Sequence, residues 1–102
     1  MLEREARNDA LDVLDDLLGW ELPSDRWPEV SARLTALAAA VRANDSAGVT
    51  AATVQLELIS PLMGPGMGKE PTVPPTDAVR EQQAEIVDSL RDKPDDDHPR
   101  TG

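Results

Sequence analysis

Apolar residues recur every three or four positions in four separate segments of the chain, and helix-stopping residues lie between those segments. That period puts the apolar positions of each segment on one side of a helix, at about 100° per residue. The spacing predicts a first helix from about Glu3 to Leu18, with Ala6, Ala10, Val13, Leu14 and Leu17 on one side. Gly19 then stands where a left-handed residue would close it, and Trp20 where the chain can fold back. A second helix is predicted from about Asp25 to Ala43, with Ser24 as its cap and Pro28 near its first turn, where a missing N–H matters least. Trp27, Val30, Leu34, Leu37, Ala38 and Val41 form its core stripe, and Ala32, Ala36, Ala39 and Ala43 form a second stripe of small residues.

The turn Asn44-Asp45-Ser46 is short enough to make the next helix, about Ser46 to Ile59, an antiparallel neighbour of the second. This third helix carries one charge, Glu57, and two apolar stripes. Val49, Ala52, Leu56 and Ile59 make one; Ala47, Ala51, Val54 and Leu58 make the other. Such a helix either lies at the centre of a bundle or turns one face to another molecule. A fourth helix, about Thr76 to Arg91, has a narrow stripe of Val79, Ile86, Val87 and Leu90 with Gln83 inside it, and it is expected to bury less than the others. The expected fold is all-α: a small bundle of three core helices plus a looser fourth, in residues 1–91. A charged, proline-broken tail from 92 to 102 is expected to be disordered.

Composition narrows the function. The chain of 102 residues has room for one domain, and with two aromatic residues its core must be aliphatic. A net charge of −10 argues against nucleic-acid binding, which needs Lys and Arg for the phosphates. No apolar run approaches the roughly 20 residues that span a membrane, so no membrane role is expected. The chain has no cysteine, which removes disulfides and thiolate chemistry and fits a reducing cytoplasm. The one histidine, His98, sits in the tail beside Asp95, Asp96 and Asp97, a poor setting for a metal or a catalytic base. The run GPGMG lacks the Lys-Ser/Thr of a phosphate loop. Neither an enzyme, a metal nor a cofactor is expected.

What remains is protein contact. Residues 61–75 hold five of the nine prolines, three of the six glycines, and both non-initiator methionines, Met63 and Met67. Methionine is adaptable and lines many binding surfaces. The loop either docks a partner, or lets the fourth helix cross to a non-adjacent place, or does both. Asp9, Asp12 and Asp16 continue a stripe begun by Glu5, away from the apolar side of the first helix; they suit a basic partner surface or plain solvation. Trp20 is either a binding anchor or part of the core. Self-association is also open.

The order of features resembles a known family. A Trp opens the second helix (RWPEVSARLTALAAAV), an Asn-Asp turn follows, the third helix ends in LELISP, and a Gly/Pro-rich segment leads to PPTDAVREQQAEIVDSL. This is similar to the CATRA-associated small proteins of bacterial conflict systems, over about residues 8 to 90, with Leu56, Leu58 and Pro61 in its most specific piece. The resemblance implies no catalytic motif. It implies a small non-enzymatic adaptor or regulatory protein, accompanying a peptidase-associated CATRA-type protein. The alternative from the residues alone is an acidic inhibitor or antitoxin-like protein covering a basic toxin or enzyme surface.

Overall fold

The computed structural model describes residues 2–60 and 71–92. They form four α-helices: α1 (Arg4–Leu17), α2 (Trp27–Arg42), α3 (Ser46–Ile59) and α4 (Asp77–Asp92), with a short 3-10 turn, Ser24–Arg26, before α2. The all-α bundle expected from the periodicity is the observed fold.

The local signals act through their hydrogen bonds. Asp45 caps α3, its carboxylate accepting from the Gly48 N–H at 3.0 Å. Thr76 caps α4, with Oγ1 accepting from the Val79 N–H at 3.2 Å. The α2–α3 turn is a Schellman closure: the Asn44 N–H bonds to Val41 O, the Asp45 N–H bonds to Ala40 O, and Asn44 takes the left-handed conformation with φ 55°. Two expected ends differ. Gly19 is not left-handed; α1 closes through tightened bonds from the Gly19 N–H to Asp16 O and from the Trp20 N–H to Leu17 O. Ser24 does not cap α2, because Ser24–Arg26 forms its own 3-10 turn and α2 starts only at Trp27.

Four helices around a square leave each with two neighbours. Here α2 packs against α3 and α4, and α1 packs against α3 and α4. Among the described residues, α1 and α2 are diagonal to each other, and so are α3 and α4. The polar contacts give the directions. The Glu3 N–H donates to Ser46 Oγ at 2.8 Å, joining the starts of α1 and α3, which therefore run parallel. Arg7 Nε donates to Leu90 O at 3.0 Å and Gln83 Nε2 to Leu14 O at 3.0 Å, so α1 and α4 are antiparallel. Ser31 and Thr35 of α2 both bond to Gln82, early in α4, so α2 and α4 run parallel.

Both diagonal connections lie at the same end of the bundle and meet there. The Leu22 N–H bonds to Val73 O at 3.1 Å and the Val73 N–H to Leu22 O at 2.8 Å, an isolated antiparallel bridge. Trp27 Nε1 donates to the same Val73 oxygen at 3.0 Å. The crossover reading of the long third connection follows directly, since α4 must reach the corner opposite α3.

The core runs through the middle of the square. Leu14, Leu17, Val30, Leu34, Leu37, Val49, Leu56 and Leu90 are fully buried in it, with Trp27 at the end where the connections cross. The fourth helix does have the smallest apolar contribution, with Gln83 taking one of its four buried positions. It is nevertheless docked on both α1 and α2, and the buried Gln83 amide is satisfied by Leu14 O.

Candidate protein-interaction surface

The two stripes of α3 have different fates. Val49, Ala52, Leu56 and Ile59 are buried, together with Thr53, whose hydroxyl donates to Val49 O at 2.8 Å. Ala47, Ala51, Val54 and Leu58 are exposed, and Val54 and Leu58 retain 45% and 56% of their accessible surface. Because α3 occupies one corner of the square, only one of its stripes can face inward. The second stripe follows a 4-3-4 spacing, which is the apolar seam of a helix that packs against another helix.

On the α2 side of this seam lies a shallow groove of about 500 Å³, walled by Ala36 and Ala40 of α2, by Ala43 just past its end, and by Gly48, Ala51 and Gln55 of α3. Arg33 stands in its wall, and the Arg33 Nε is buried with no hydrogen-bond partner. On the α1 side stand carboxylates. Asp9, Asp12 and Asp16 are all exposed. Arg7 and Leu14, which bond to α4, lie within about 20° of each other around α1, and the three aspartates are roughly opposite them. The acidic stripe is therefore on the flank of α1 away from α4, where the neighbouring helix is α3. Glu57 of α3 is exposed as well, and α3 has no Lys or Arg.

The other sequence-predicted site residues fall elsewhere. Trp20 is 8% exposed and belongs to the core cluster. Met63 and Met67 lie outside the described residues, as does His98. A second cavity, about 250 Å³, separates α2 from α4 beside the Ser31–Gln82–Thr35 hydrogen bonds. Among the described residues no group of three or more His, Asp and Glu could hold a metal ion. No helix among them is long and apolar enough to cross a membrane. The two 4-3-4 stripes were visible in the sequence, but not that their helices are neighbours.

No curated protein and no solved structure matches the chain. The family model for CATRA-Associated Small Protein matches residues 9–94, which include all four helices except the first five residues of α1. The chain belongs to the CATRA-associated small protein family.

Proposed function

We propose that this protein is a non-enzymatic adaptor or regulatory subunit of a bacterial conflict system, working in the cytoplasm by binding a CATRA-type protein. The observation that carries the reading is the exposed seam of α3. A bundle this small gains nothing in folding from leaving Val54 and Leu58 in water, and contiguous exposed apolar residues mark contact sites. The family name supports association with a CATRA protein. The loop methionines Met63 and Met67 enter the proposal on sequence grounds, as adaptable contacts outside the described residues.

The test is co-expression with a CATRA protein from the same genome, followed by size-exclusion chromatography. The two should co-elute at a fixed ratio, and Leu58→Asp should release the small protein while leaving it folded. A wild-type chain that elutes alone rejects the proposal. The exposed aspartates of α1 favour a second reading, an acidic cover for a basic toxin or enzyme surface. It predicts instead that the chain suppresses the activity of a basic protein encoded next to it.

A further inference from the structure

We infer that the outer face of α3 seats a single helix of the partner, apolar along one stripe and bearing Lys or Arg on the edge that faces α1. The inference rests on the accessory role proposed above and specifies the surface and the chemistry of what it binds.

Three observations select this occupant. The exposed stripe Ala47, Ala51, Val54 and Leu58 advances by four, three and four residues, so it keeps to one line along α3 for about three turns. A seam of that shape is matched by another helix, whose knobs repeat with the same spacing. The two edges of the seam differ. Toward α2 the walls are mostly alanine and Gly48, low enough for a second backbone to approach closely, with Gln55, Asp45 and Arg33 among them, and the sheltered Arg33 Nε lacks an acceptor. Toward α1 stand Asp9, Asp12, Asp16 and Glu57, all exposed, with no cation on α3 and with Arg7 turned to Leu90 on the far flank of α1. In paired helices the charged positions beside an apolar seam choose the partner, and a carboxylate edge selects Lys and Arg.

A second copy of this chain is a poorer occupant. It would carry the same net charge of −10 and bring its own acidic edge to the contact. A nucleic acid is excluded by the sign of the field.

The test uses the full-length chain, isotopically labelled, with two probes of equal length: an amphipathic helical peptide of Leu and Lys, and its Leu and Glu counterpart. The Leu/Lys peptide should shift amide resonances of Ala47, Ala51, Val54 and Leu58 and of the α1 aspartates, while the Leu/Glu peptide should not bind. Val54→Ser with Leu58→Ser should weaken binding at least tenfold. Asp9→Asn, Asp12→Asn and Asp16→Asn together should weaken it about fivefold and flatten its salt dependence, because exposed charges are screened beyond about 10 Å at 0.1 M salt. Both variants should melt like the parent. Equal binding of the two peptides, binding of neither, or shifts confined to another face overturn the inference. So does a dimer of the free chain that Val54→Ser with Leu58→Ser abolishes, because the face then belongs to a second copy. The CATRA protein separates this inference from the reading beneath it. If it binds the wild type and both variants alike, the accessory role stands and this face is not its site. If it does not bind the wild type, the accessory role fails.

Discussion

Two residues apart in sequence, Leu56 and Leu58 have opposite surroundings: Leu56 is fully buried, and Leu58 keeps 56% of its surface. A charge at Leu56 would be buried without a partner, which costs more than the roughly 5–15 kcal/mol that holds a small domain together can absorb. Leu56→Asp should therefore abolish the cooperative thermal transition. Leu58→Asp should shift stability by no more than about 0.5 kcal/mol, as an exposed substitution does. Circular dichroism melts of the two variants check both, and a cooperative melt for Leu56→Asp would remove α3 from its assigned orientation. Gln83 poses a different case. Its amide donates to Leu14 O in the last turn of α1, where a helix runs out of its own N–H groups. Gln83→Ala leaves that carbonyl without the bond and opens space in the core, so urea titration should show a loss of about 1–3 kcal/mol.

At the scale of the element, α3 begins tightly. Asp45 supplies the cap, and a Cβ on Gly48 would lie 2.6 Å from Asp45 Oδ2 and 3.1 Å from Ala40 Cβ. Glycine inside a helix normally costs about 1 kcal/mol relative to alanine. At this position Gly48→Ala should not stabilise the protein, because Asp45 must swing away and forfeit a cap also worth about 1 kcal/mol. A gain of the full helical preference in chemical denaturation would show that the cap contributes nothing. Reciprocal contacts also hold α1 to α4: Gln83 reaches the last turn of α1, and Arg7 reaches Leu90 O in the last turn of α4. A cation at a helix C-terminus is favourable against the helix dipole.

At the scale of the whole molecule, the bundle depends on two connections that cross one end diagonally and are tied at Leu22 and Val73. The Val73 carbonyl accepts from both the Leu22 N–H and the Trp27 indole. Val73→Pro removes the N–H that reaches Leu22 O, and a lost buried hydrogen bond is worth about 1–3 kcal/mol. The variant should unfold at lower urea and with altered tryptophan fluorescence, since Trp27 is at the same junction. An unchanged midpoint would mean that the crossing is incidental to stability. The square arrangement also distributes charge: α1 and α4 each carry five acids and two arginines, whereas α3 carries one acid and no cation.

By itself the sequence determined the four helices, most of their ends and their inward stripes, because period, caps and turn residues are local properties of the chain. It also showed that α3 has a surplus apolar stripe and α1 a stripe of acids, each on a 4-3-4 spacing. It did not determine where Trp20 would lie, since an indole at a connection can pack or project, and the bundle end buried it. Gly19 did not take the left-handed conformation expected of it, because glycine permits such a turn without requiring one; Asn44 adopted it instead at the α2–α3 turn. Which helices are neighbours was decided only by the tertiary structure. Diagonal connections place α1 beside α3 rather than α2, so the flank of α1 that bears the acidic stripe, away from α4, lies on the α3 side. The two stripes are distant in sequence, and which helices core packing makes neighbours is not encoded by local periodicity.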